Sequence, residues 1–170
     1  MEFDDSEAIM PERETIARAR KDKREGKSPS TQAGEFVREE VHHIREGKHG
    51  ARSTKQAIAI GLSKARRAGV KMPAPKTGNA RTKRAAKAAS EAGARRRRPS
   101  AKRSRAVSKA LRREGRAAAS PRALPKQART SARRRSASQR SSAAKRAAAT
   151  KGAAGRSAAA RKAARTRKRS

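Results

Sequence analysis
The stretch STKQAIAIGLSKARRAGV, residues 53–70, decides the fold, because it carries a start signal, a patterned body and a stop signal. Ser53 and Gln56 form an S-x-x-Q capping box, in which each side chain satisfies an orphan backbone N–H of the first turn. At 100° per residue, Ala57, Ile58, Gly61, Leu62, Ala65 and Ala68 share one side, while Gln56, Ser63, Lys64 and Arg67 share the other. Gly69 suits the left-handed position after a helix, Val70 can fold back on Ala65, and Pro73 prevents a restart. The spacing predicts a helix over 54–68. Ile60 falls on the polar side, which marks it as a contact for a third segment or for a partner.

Upstream, EFVREEVHHIRE at 35–46 places Val37, Val41 and Ile44 on one stripe with Phe36 beside it, and Gly47 closes the segment. The two helices make an αα-hairpin over 33–73, with Gly61 and the alanines permitting close approach. A unit of about 40 residues rarely folds unaided. Dimerisation through the helical head, or packing of an N-terminal segment, is the expected support. That segment, 1–32, contains PERETIARARKDKRE at 11–25, with Pro11 at the first helical position, early acids and late bases. Gly26 and the following KSPS end this short helix.

Downstream the character changes. APKTGN at 74–79 reads as a linker, and residues 80–170 hold 32 basic residues against 2 acidic ones, with 29 alanines. The apolar residues larger than Ala in that tail are Val107, Leu111 and Leu124. Ordering a residue costs roughly 1–2 kcal/mol of backbone entropy, so this composition predicts disorder from 80 onward, with Ala-rich parts turning helical on a polyanion. The expected fold is therefore a small all-α head of two or three short helices, followed by a long intrinsically disordered basic tail. The whole chain carries a formal charge of +35, yet residues 1–50 are slightly acidic. No apolar run approaches the roughly 20 residues of a membrane span, and the acidic start suits neither a secretory signal nor a transit peptide. The expected location is cytoplasmic.

Catalysis finds little support, because so small a head cannot enclose a pocket; no enzyme activity, cofactor or small-molecule substrate is expected. His42, His43 and His49 have no cysteine to join them, and the adjacent pair points about 100° apart, so they read as solvent-facing residues near a helix end, not as metal ligands. GKHGARST at 47–54 departs from the phosphate-binding G-x-x-x-x-G-K-[ST] pattern at Ala51 and Arg52. What survives is Arg52, Ser53, Thr54 and Lys55 at a helix N-terminus, where free N–H groups favour a phosphate; ordinary capping is the competing reading.

The tail carries the stronger signal. Arg95, Arg96, Arg97 and Arg98, then Lys102, Arg103 and Arg105, then Arg133, Arg134 and Arg135 place cations every few residues. Lys145 and Arg146 continue the series, followed by Arg161, Lys162, Arg165, Arg167, Lys168 and Arg169. Such a polycation binds nucleic acid by releasing counterions. The tail has no aromatic ring on which unpaired bases could stack, which favours duplex DNA over RNA.

Residues 33–75, with FVREEVHHIREGKHG preceding STKQAIAIGLSKARRAG, resemble an uncharacterised bacterial family of small basic proteins marked by a K-Q-A-I-A-I-x-L-S-x-A helix. Members are described at most as DNA-binding, so the resemblance implies no established activity. Residues 80–170 are similar in composition to the Ala/Lys/Arg tails of bacterial histone-H1-like proteins and linker histones. Ser120-Pro121-Arg122 falls short of the S-P-K-K repeat of linker histones, and their aromatic-containing winged-helix head is missing. The resemblance implies DNA neutralisation and compaction. The expectation is a histone-like, nucleoid-associated DNA-binding protein, with an RNA- or ribosome-associated protein, or an adapter localised by its tail, as alternatives.

Overall fold
The computed structural model describes residues 10–75, 78–95 and 100–167. Helices α1 (Arg13–Arg24), α2 (Pro29–Glu46), α3 (Thr54–Arg67), α4 (Ala80–Ala94), α5 (Ala101–Arg112), α6 (Ala123–Arg133) and α7 (Ala137–Arg167) are joined by a 3₁₀ turn at Ala117–Ala119. No strand occurs among the described residues. The described residues fall into two compact units, divided after Gln127.

Local chemistry accounts for the first unit's elements. Ser28 caps α2 by accepting the Thr31 N–H at 3.4 Å, and Pro29 takes the first helical position. SPS is thus a start signal, and α2 begins six residues before the expected 35. At its other end Gly47 adopts φ +82°, and Lys48 N–H donates to the His43 carbonyl at 3.0 Å. This left-handed end turns the chain back under the last turn of α2. At α3, Ser53 Oγ accepts the Gln56 N–H at 3.2 Å, while Gln56 Oε1 accepts from Arg52, one residue before the expected partner. Gly69 adopts φ +87°, and Val70 N–H donates to the Ala65 carbonyl at 3.0 Å.

Helices α2 and α3 form the central pair; α1 packs on α2, and α4 packs on α3. A Cβ at Gly61 would sit 2.7 Å from Val37 Cα, so the pair closes to backbone contact. One apolar cluster joins Ala19, Ala33, Phe36 and Ala65, with Ile16, Leu62, Val70 and Met72 against it. A second joins Val41, Ile44, Ala51 and Ala57 to Ala118 and Ala119, with Leu124 against it.

That second cluster overturns the expected disordered tail and the confinement of the core to the head. Most of the described residues beyond 79 are helical, and part of them completes the core. Gly50 N–H donates to the Leu111 carbonyl at 2.9 Å, and Ala51 N–H donates to the Gly115 carbonyl at 3.1 Å. Leu111 and Ala119 are buried. Gly93 brings α4 against the Arg66 carbonyl, where any Cβ would collide, and Ala86 and Ala89 are buried. Three physical reasons combine. Alanine is the strongest helix former. Asn79 caps α4 by accepting the Thr82 N–H at 2.8 Å, and Ser136 and Gln139 repeat a capping box ahead of α7. Small side chains also let backbones meet, so burial comes from main chain as well as from large apolar groups. Of the two supports expected, the N-terminal segment is in place, since α1 packs on α2.

Gly50 is a direct test of this packing. A Cβ there overlaps the Glu114 carbonyl, which is main chain and cannot swing aside. Gly50→Ala is expected to cost about 1–3 kcal/mol, the usual range for overpacking. Urea unfolding should show a lowered midpoint, and an unchanged midpoint would show that residues 111–119 do not seat on the head.

A buried ionic cluster joins α2 to α3. The Lys64 ammonium donates to Glu39 Oε1 at 3.1 Å and lies 3.1 Å from Glu40 Oε2. All three side chains are no more than 2% exposed. Lys64, placed by periodicity on the wet side, is thus inside. Its ammonium is turned onto α2, whose carboxylates hold it inside.

Candidate nucleic-acid interface
The cations singled out in the sequence lie on exposed surface wherever the structure describes them. Arg95 caps the end of α4; Lys102, Arg103 and Arg105 lie on α5. Arg133 ends α6, and Arg134 and Arg135 lead into α7, which carries Lys145, Arg146, Arg161, Lys162, Arg165 and Arg167. Arg96, Arg97, Arg98, Lys168 and Arg169 lie outside the described residues. At 100° per residue the α7 cations spread around the helix instead of forming one stripe. Gly152, at φ +65° and ψ 177°, breaks α7 into two helical segments.

Electrostatic pairing divides the chain more sharply than its sequence does. Glu12, Glu14, Asp22, Glu25, Glu35, Glu39, Glu40 and Glu46 are the described acids before residue 50, and each pairs with a lysine, arginine or histidine from residues 18–64. Beyond residue 79 the sequence has only Glu91 and Glu114, and Glu91 lies 3.9 Å from Lys87. The head's described carboxylates are therefore committed internally, and the cations of 80–170 far outnumber the acids near them in sequence.

The N-terminus of α3 is less open than its sequence suggests. Arg52, Ser53 and Lys55 are exposed, but Thr54 is buried and its hydroxyl donates to the Ala118 carbonyl at 2.7 Å. The Ser53 hydroxyl and the Arg52 N–H are both engaged with Gln56. The structure thus brings these four residues together as a capped, packed helix start, and leaves Arg52 and Lys55 as the groups able to meet a phosphate. Ile60 is half-buried; the exposed large apolar residues among those described are Met10 and Val107.

The histidines depart furthest from expectation. His42 is exposed and lies 2.9 Å from Glu46, but His43 and His49 are each only 3% exposed. Their rings meet edge to face with centroids 6.1 Å apart. His43 Nε2 donates to Glu12 Oε1 at 2.7 Å, and this bond holds the Glu12 carboxyl below the usual carboxylate range. Glu40-x-x-His43 spacing, which places both groups on one helical face, was the sequence signal for this site. His49 gave no such signal, because the turn at Gly47 is what brings it back.

Comparison with known proteins adds one match. A family of unknown function (DUF6496) matches residues 15–76, the segment spanning α1 to α3. No curated protein and no solved structure matches the chain. No helix among the described residues is long and apolar enough to cross a membrane.

Proposed function
We propose that the protein is a non-enzymatic, histone-like DNA-binding protein of the nucleoid that neutralises and compacts duplex DNA largely irrespective of sequence. The observation that carries this reading is the charge division: the described acids of the head are paired within it, while 32 basic residues beyond residue 79 have two acids among them. Displacing counterions from a polyanion is the strongest interaction open to such a surface. Phosphate contacts fix position without reading bases, which suits binding irrespective of sequence. Among the described residues no Phe is available for stacking readout, since Phe36 is 1% exposed.

The mechanism differs from that of a flexible polycation. Helices present the cations at fixed spacing before any contact, so less ordering entropy is lost on binding than for a disordered tail. The Val41/Ile44 face, which could have paired two copies, is covered by Ala118 and Ala119 of the same chain. Bridging of duplexes is therefore assigned to cations on separate helices of one molecule.

Competition decides between DNA and RNA. With labelled duplex DNA bound by the full-length protein at fixed salt, unlabelled duplex should displace it at least as well as structured RNA of equal length. Displacement by RNA at far lower concentration would establish the RNA- or ribosome-associated alternative instead.

A further inference from the structure
Buried beside the Glu39–Lys64 pair are three groups that the DNA-binding reading does not use. Glu40 and His43 stand at i and i+3 on α2, and His49 returns to them after the Gly47 turn. One ligand atom from each lies within 4.8 Å of the other two, and all three residues are buried. His43 Nδ1, His49 Nε2 and Glu40 Oε1 have no hydrogen-bond partner among the described residues, although burial without a partner is costly for each, and Glu40 Oε2 has the Lys64 ammonium 3.1 Å away.

The histidine tautomers point the same way. A carboxylate only accepts, so the 2.7 Å contact with Glu12 puts the His43 proton on Nε2 and leaves the Nδ1 lone pair facing the cluster. A backbone carbonyl likewise only accepts. The 3.1 Å contact with the Gly50 carbonyl therefore puts the His49 proton on Nδ1 and leaves the Nε2 lone pair free. Metal-ligating histidines characteristically donate their other N–H to a carboxylate or backbone carbonyl, which fixes tautomer and ring orientation.

We infer that Glu40, His43 and His49 form a binding site for a divalent transition-metal ion of the zinc type. His49 Nε2 and Glu40 Oε1 are 3.5 Å apart, close to the roughly 3.3 Å edge of a tetrahedron with bonds of about 2.0 Å. The longest separations in the set, up to 4.8 Å, contract by about 1.5 Å to reach that edge. Charge favours a cation here: two buried carboxylates, Glu39 and Glu40, face one ammonium, Lys64, whose hydrogen bond goes to Glu39. The nitrogen-rich donor set without thiolate suits zinc, cobalt or nickel better than calcium or magnesium. His43 also lines a cleft of about 210 Å³ together with Glu12, Arg38 and Glu39 among others. The ion would tie the end of α2 to the loop that enters α3, with a water as its fourth ligand.

The test uses the full-length protein freed of metal with a chelator and titrated with Zn2+ against a chromophoric competitor. One equivalent should bind tightly to the unaltered chain and to His42→Ala, whose histidine is exposed. Glu12→Gln, which weakens only the outer support of His43, should lower affinity roughly 10–100-fold, and His49→Gln and Glu40→Gln by more. Binding of Co2+ to the unaltered chain should give the intense visible absorption of a four-coordinate ion, a readout independent of whether any variant folds. An unaltered chain that binds Zn2+ no better than a His43→Gln/His49→Gln double variant, or a weak six-coordinate Co2+ spectrum, would overturn the assignment. DNA affinity is measured separately, so failure here leaves the nucleic-acid reading standing.

Discussion

Lys64→Met destabilises the first unit by about 3–5 kcal/mol, the cost of leaving buried charge without its partner. Lys64, Glu39 and Glu40 have side chains 2%, 1% and 0% exposed, so water cannot take over the role of the ammonium. Methionine keeps the length and apolar stem of lysine and removes only the charge and the donors, which isolates the electrostatic loss. Urea unfolding followed by far-UV circular dichroism measures it. A triple variant, Lys64→Met/Glu39→Gln/Glu40→Leu, should recover most of the loss, because replacing a whole buried ion cluster with neutral groups is often close to neutral. A single variant that loses less than about 1 kcal/mol would mean that solvent reaches the pair.

The second large effect concerns α7. Replacing Lys145, Arg146, Arg161, Lys162, Arg165 and Arg167 with Gln removes six exposed cations while nearly preserving helix propensity. If all six neutralise phosphates, the slope of log affinity against log salt becomes shallower by up to about 5. Far-UV circular dichroism should stay close to that of the unaltered chain. An unchanged slope with unchanged helicity would assign DNA binding to other cations.

Particular residues show how far the sequence could be read. The S-x-x-Q box at Ser53 and Gln56 and the Gly69 end are local devices, and local devices are legible because their partners lie within a turn. Ser28-Pro29 is equally local, but its two possible meanings, a stop for α1 or a start for α2, differ only in which neighbour is helical. The tail was misjudged for a physical reason. Counting large apolar side chains treats Ala118, Ala119 and Gly50 as contributing almost nothing. Yet Ala119 is fully buried, and Gly50 lets the Glu114 main chain approach where any side chain would block it. Packing of backbone on backbone leaves little trace in composition.

Lys64 and the histidines were hidden by another limit. Periodicity sorts residues by face but does not say how much of the surface each neighbouring helix covers. A charged residue drawn onto α2 looks identical to one in water until its carboxylate partners, 24 and 25 residues upstream, are placed. The exposed cations were legible one by one, because surface charge needs no partner. Their surplus was legible too, as 32 basic residues against 2 acidic ones beyond residue 79; the structure adds that the described acids of the head are paired within it.

The central claim is that an ordered helical chain binds duplex DNA through phosphate neutralisation. Affinity of the full-length protein for a duplex of random sequence, measured from about 50 to 200 mM salt, tests it most directly. Engagement of 6–10 phosphates predicts a fall of about 10³–10⁵-fold across that range, with little difference between unrelated duplexes. Affinity that stays within about tenfold over the same range, or that depends strongly on the duplex chosen, would contradict the account.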